Sequence, residues 1–183
     1  MGVVIEDNSD AFLKRLTDAV DGPGGGLDAA TQFLASKMRE SMPQGGDYDV
    51  ANDTPTANIK ASAPGSPPMV RSGQLRNSLT NARVGTLRWA AGTNVKYARI
   101  QEFGGTINHP GGTAYFIKDG KAVFVSETAA LQMSLSGQKL NKTKPHPITL
   151  PARPYMRPAL RNNEAAISRV FNARVRRKMG GTQ

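Results

Sequence analysis

Glycine and proline cut this chain into short elements, and their spacing restricts the folds open to it. Gly22-Pro-Gly-Gly-Gly26 closes a first helical stretch over residues 10–20, where Phe12, Leu13, Leu16 and Val20 recur at helical spacing. A second helix is predicted from about Leu27 to Met42, with Leu27, Ala30, Leu34 and Met38 as its apolar stripe, and Pro43 stops it. Farther on, Ala114-Tyr-Phe-Ile-Lys118 and Lys121-Ala-Val-Phe-Val125 flank Asp119-Gly120. That dipeptide accommodates two positive φ angles, so the segment reads as a β-hairpin.

Between these landmarks the chain alternates polar stretches with short ordered ones. Residues 44–70 are rich in Pro, Gly, Ala, Asn and Asp, and read as a flexible or partner-ordered loop. Arg71–Leu79 is predicted as a helical turn with Ser72 as its cap and Leu75/Leu79 on one face. Strands follow near Thr80–Val84 and Leu87–Ala91, with Trp89 as a core anchor. Tyr97–Phe103 suits a short helix burying Tyr97, Ile100 and Phe103, released by Gly104-Gly105. Ser126–Lys144 reads as a loop with a helical turn near Thr128–Leu135, and Pro147–Pro151 as an edge strand.

The last helix begins near Pro158, whose fixed φ suits a first turn, and covers roughly residues 157–179. Helices at both ends with strands between them give an α+β fold: N-terminal helices, a small mostly antiparallel sheet with a hairpin, and a C-terminal helix. We read residues 1–183 as one domain, with 1–26 a helix and Gly-rich hinge and 106–148 an insertion holding the hairpin.

Apolar residues make up 38% of the chain and aromatics 6%, which is lean for a compact globule of this size. Such a chain carries flexible segments or completes its burial against neighbours. Cysteine is absent, which excludes disulfides and thiolate metal sites. No apolar run approaches the roughly 20 residues of a membrane helix, and Met1–Asp7 lacks the pattern of a secretory signal. The expectation is a protein of a cytoplasm with no membrane partner.

The net charge of +10 is unevenly placed. Between Arg153 and Lys178, the bases Arg153, Arg157, Arg161, Arg169, Arg174, Arg176, Arg177 and Lys178 stand against one acid, Glu164, whereas the first 28 residues hold Glu6, Asp7, Asp10, Asp18, Asp21 and Asp28 against Lys14 and Arg15. A basic end suits nucleic acid phosphates or an acidic protein surface, including the acidic start of a neighbouring copy. Arg169, Arg174, Arg176, Arg177 and Lys178 are the candidates for such contact. Aromatic interleaving is poor there, which argues against base stacking.

Residues able to do covalent chemistry are sparse. His109 and His146 sit beside prolines and read as exposed loop histidines, without a second ligand at helical or hairpin spacing. Glu102 reads as an ion-pairing glutamate and Ser72 lacks a nucleophile-elbow setting. The glycine-rich stretches are followed by no Lys-Ser/Thr. No catalytic, metal or cofactor site is expected, and the chain reads as a building block rather than an enzyme.

Three segments in fixed order carry a family resemblance: Arg71-Ser-Gly-Gln-Leu-Arg-Asn-Ser-Leu79, Tyr97-Ala-Arg-Ile-Gln-Glu-Phe-Gly-Gly105 and Leu150-Pro-Ala-Arg-Pro-Tyr-Met-Arg-Pro-Ala-Leu160. With Gly92–Asn94 they resemble the tail completion and neck proteins of tailed bacteriophages, the phage virion morphogenesis family. The resemblance covers roughly Leu27–Val175, apart from the polar loops; the hairpin insertion departs from simpler members. It implies a virion protein at the head–tail junction, made in the host cytoplasm. Its partners would be itself, in a ring and by resemblance a hexamer, and adjacent connector, tail terminator or tail tube proteins, with channel DNA as a further contact. Tyr97, Glu102, Phe103, Gly104, Pro151, Arg153 and Pro154 would shape the subunit, Arg153 bonding to carbonyls or to Glu102. The alternative, from charge alone, is a basic nucleic-acid-binding protein acting as a monomer or dimer.

Overall fold

The computed structural model describes residues 9–45, 48–49, 54–55 and 61–180. In chain order the elements are α1 (Ser9–Val20), α2 (Gly26–Glu40), β1 (Tyr48–Asp49), β2 (Thr54–Pro55), α3 (Gln74–Ser78), β3 (Thr80–Gly85), β4 (Arg88–Gly92) and α4 (Ala98–Phe103). Then follow β5 (Gly105–His109), β6 (Ala114–Lys118), β7 (Lys121–Phe124), α5 (Glu127–Leu135), β8 (Asn141–Lys142), β9 (His146–Leu150) and α6 (Met156–Lys178). The architecture is α+β, with helices at both ends and antiparallel strand pairs between them. The strands are distributed over four small sheets rather than one. Most of the 44–70 loop lies outside the described residues.

The chain divides into two compact units. The first combines residues up to Phe103 with Ala152 onward; the second is Gly104–Pro151, whose bounds lie a few residues outside the insertion read from sequence.

In the first unit α2 and α6 pack against each other, with Gly26 at the crossing. A Cβ built on Gly26 would stand 2.6 Å from Val175 Cγ2 and 2.7 Å from the Phe171 ring, so the position admits no side chain. The core gathers Met38, Met42, Leu75, Leu79, Ala98, Tyr155 and Ala159, with Leu34, Val70 and Ala91 packed around it. Leu75 and Leu79 do share the buried face that their spacing indicated. The α3 cap is Gly73, not Ser72, because a φ of 78° sets the turn and no side chain caps the helix. At the start of α2, Asp28 reaches back to the Gly24 amide at 2.7 Å and takes Asn81 Nδ2 at 2.8 Å, tying β3 to the helix.

Other sequence expectations also fail in this unit. The α1 stripe is largely exposed, with Phe12 at 54% and Leu13 at 56%, while Ala19 is buried. An amphipathic pattern marks a face that wants cover, and the described residues do not supply all of it. Trp89 is half-buried rather than a core anchor; its role is polar, donating from Nε1 to Asp21 at 2.9 Å.

Asp21, just past the end of α1, is a buried carboxylate that organises the β3–β4 turn. It also accepts from Arg83 Nη2 at 2.5 Å and from the backbone N–H of Leu87 at 3.0 Å. Leu87 adopts φ 53°, a conformation an L-residue visits reluctantly, and the Asp21 bond helps hold it there. The Arg83 guanidinium first, then the Leu87 amide and the Trp89 indole, lower the Asp21 pKa from 3.8 to about 2.

The second unit contains a two-stranded ribbon, β5–β9, and a three-stranded sheet ordered β7-β6-β8. Asp119 and Gly120 turn the β6–β7 hairpin with φ of 52° and 74°, the paired positive angles the dipeptide indicated. The Ser126–Lys144 stretch has its helical turn where the sequence indicated one, and a short strand besides. It holds α5, started by Ser126 Oγ accepting from the Ala129 amide at 3.3 Å, and β8. Not one residue of Gly104–Pro151 is buried, and Ile117, Phe124, Leu131 and Leu135 are more than half exposed.

A carboxylate whose folded-state pKa is depressed stabilises the fold above its unfolded pKa and loses that contribution on acidification. Asp21→Asn should therefore lower the urea midpoint of the wild-type protein by a constant amount above about pH 5. The gap should narrow as the pH falls through 3.8 toward about 2, measured by paired unfolding curves across pH.

Candidate functional site

The longest helix, α6, needs partners for the N–H groups of its first turn, and sequence alone does not name them. The structure supplies one residue for the task. Glu102 Oε2 accepts from the backbone N–H groups of Tyr155 and Met156 at 2.7 and 2.9 Å, and Oε1 from Arg157 N at 3.1 Å. The next residue is Pro158, which has no N–H, so the first turn is fully satisfied. Arg157 Nε closes the arrangement at 3.3 Å from Oε1, with its guanidinium 4.5 Å above the Phe103 ring.

Burial by itself would raise the Glu102 pKa. The three backbone amides and the Arg157 side chain outweigh it, and the net shift is downward. A negative charge at this helix end also opposes the positive pole of the helix dipole.

This geometry corrects the reading of α4. Its buried face is Ala98/Glu102, one helical turn apart, while Tyr97 is 40% and Phe103 58% exposed. Five or six residues offer one inner face, and the carboxylate that caps α6 occupies it. The ion-pair partner of Glu102 is Arg157, not Arg153. Arg153 instead binds carbonyls' side of the chain: its Nε donates to Ser62 O at 3.0 Å and its backbone N to Gln101 O at 2.6 Å. Gly104, with φ 69°, and Pro151 are the first and last residues of the second unit, and Pro154 is half-buried beside Tyr155 in sequence.

Tyr155, which sequence reasoning did not single out, is the largest fully buried side chain. Its hydroxyl has no hydrogen-bond partner among the described residues, and its pKa is pushed up to about 12, by burial first and then by the Glu102 and Tyr97 charges. An aromatic between Pro154 and a second proline four residues on was the available signal.

Arg169, Arg174, Arg176, Arg177 and Lys178 all lie on α6. Arg174 is half-buried and the rest are exposed; Lys178 Nζ donates to Pro23 O at 2.7 Å. None of the five forms an ion pair among the described residues.

The histidines differ from the expectation. His109 ends β5, His146 starts β9, and the register places them directly opposite, rings stacked at 5.1 Å. Their partnership spans the whole insertion, beyond the reach of any local spacing rule. His109 Nδ1 accepts from the Gly111 amide at 2.9 Å, and His146 Nδ1 faces the Lys144 carbonyl at 2.8 Å. In the neutral pair His109 then carries its proton on Nε2, which leaves one ring rather than two with a free lone pair. Among the described residues no group of three or more His, Asp or Glu stands together.

One cavity, of about 520 Å³, opens in the first unit. Arg71, Arg76 and Arg153 line it together with Ser62, Gln74 and Tyr97, and among the described residues no acidic one does. Tyr97 Oη bonds to Gln74 Oε1 at 3.2 Å across this lining. Arg71 and Gln74 belong to the first of the three sequence segments, Tyr97 to the second and Arg153 to the third, so the fold gathers all three at one place.

No family model, curated protein or solved structure matches the chain. Among the described residues, no helix is long and apolar enough to cross a membrane.

Glu102→Gln should destabilise the protein by about 2–4 kcal/mol, since it puts an amide N–H₂ against helix N–H donors and removes the charge. Tyr155→Phe should have the opposite sign, raising stability by about 1 kcal/mol by removing an unsatisfied buried hydroxyl. Urea titrations of the two variants and the parent check both.

Proposed function

We propose that this chain is a structural subunit of a tailed-phage particle, acting at the neck or tail end as one member of a homo-oligomeric ring that joins tail to DNA-filled head. Its chemistry is assembly: burial of apolar surface and pairing of charge between copies and with adjacent connector, terminator or tube proteins. No bond is made or broken by it. It is made in the host cytoplasm and ends in the virion.

The observation that carries the reading is the second unit. Gly104–Pro151 has defined strands and a helix but no buried residue, and its aromatic and aliphatic side chains stand open. Small sheets of two or three strands need cover on one face to be stable alone. The exposed Phe12/Leu13 face of α1 points the same way. A ring built by head-to-tail contacts supplies such cover to every copy equally. The three ordered sequence segments support the particular assembly.

Native mass spectrometry and electron microscopy of the purified protein, alone and with tails, test the proposal. A closed ring, six-membered by the family resemblance, is the expected result; its absence in both settings would count heavily against the reading.

A second reading is favoured by one observation, the unpaired basic end of α6. A nucleic-acid-binding monomer or dimer would bind duplex DNA with affinity falling steeply in salt, and alanines at Arg174, Arg176 and Arg177 would abolish it. Under the assembly reading, gel-shift titrations at physiological salt should find weak binding or none.

A further inference from the structure

The cavity of the first unit is electrostatically one-sided. Three arginines share a space of about 520 Å³ with no carboxylate among the described residues of its walls. None of Arg71, Arg76 and Arg153 forms an ion pair among the described residues. Arg76 and Arg153 are half-buried, where like charges are screened less than at an open surface. Arg153 is held by its Nε on the Ser62 carbonyl, so its side chain is pinned at the cavity.

Ser62 adds an independent sign of a missing ligand. The residue is 7% exposed and lines the cavity, and its hydroxyl has no hydrogen-bond partner among the described residues. A buried hydroxyl without a partner is uncommon and marks a place where one is absent. Beside these polar groups, Met42, Pro68, Met69, Val70 and Leu75 give the cavity an apolar side. A bare inorganic anion would satisfy the arginines and leave those walls unused. A peptide carrying aliphatic side chains beside carboxylates would use both.

We infer that this cavity is a docking site for an acidic, aliphatic peptide, and that its occupant is the Val3-Val-Ile-Glu-Asp7 segment of a second copy. That segment places three β-branched side chains next to two carboxylates, matching the apolar walls and the arginines. The eight residues before α1 can reach at most about 26 Å when extended. The source of the peptide rests on the ring reading above; the cavity's chemistry does not. Carboxylate–guanidinium pairs there would be partly desolvated, hence stronger than surface pairs.

The test is fluorescence anisotropy with a labelled synthetic peptide covering Gly2–Asp10. It is titrated with the full chain carrying Glu6→Gln and Asp7→Asn, whose own segment then competes poorly. Saturable binding is expected, weakened about tenfold or more by Arg71→Ala, by Arg76→Ala, and by the same two neutral substitutions in the peptide. Arg71 is exposed, so Arg71→Ala leaves the core intact, and circular dichroism verifies the fold of each variant. Arg176→Ala with Arg177→Ala, at the far basic site on α6, should leave peptide binding unchanged.

Absence of saturable binding overturns the inference. So does binding indifferent to Arg71 and Arg76 but lost with Arg176 and Arg177. A 20-base-pair duplex that binds and is released by Arg71→Ala would reassign the cavity to phosphate and equally overturn it. Peptide binding at Arg71 in a protein that never forms rings would sink the ring reading alone; rings that form without peptide binding would sink this inference alone.

Discussion

One carboxylate sets the frame of the first unit. Glu102 sits at 2% exposure under the start of α6 and answers every N–H donor that its first turn presents. Without an acceptor there, Tyr155 and Ala159 could not both enter the core, because the backbone that carries them would bring unsatisfied amides inside with them. The bond also explains why a Glu-Phe-Gly segment and a Pro-Tyr-Met-Arg-Pro segment occur in one chain: the first caps the helix that the second begins. Phe103 and Arg157 then stack on the outside of the same joint.

Asp21 repeats the device at the other end of the unit. It too is a buried carboxylate just past a helix, and it too collects donors from elements far away in sequence: Arg83, Leu87 and Trp89. A chain with few large apolar residues fixes its geometry at such points by charge-assisted hydrogen bonds. The second unit has no comparable centre. Its order comes from ladder hydrogen bonds and from turns such as Asp119-Gly120, which define local shape without sealing anything from water.

Features governed by neighbours in sequence were legible before the structure. The helices α1, α2 and α6, the breaks at Gly22–Gly26 and Pro43, and the Asp119-Gly120 hairpin all follow from periodicity and turn chemistry. What failed was decided at long range. The inner face of α4 was assigned to Tyr97 and Phe103 because they are apolar, yet it is chosen by a helix end 53 residues away. His109 and His146 were read as isolated because the β5–β9 register is set across the insertion. Arg153 and Arg157 look interchangeable in the sequence; only the helix start, two residues before Pro158, shows which faces Glu102. The cavity was invisible for the same reason, since its arginines come from segments that no local rule connects.

Gly26 has a mechanical meaning that reaches past its local contact. Phe171 and Val175 straddle a point on α2 where the backbone is bare, and they approach it more closely than any side chain would permit. A slip of α6 by one turn toward the body of α2 would carry both onto positions armed with side chains, Ala29 and Ala30. The missing methyl therefore acts as a notch that indexes the two long rods against sliding.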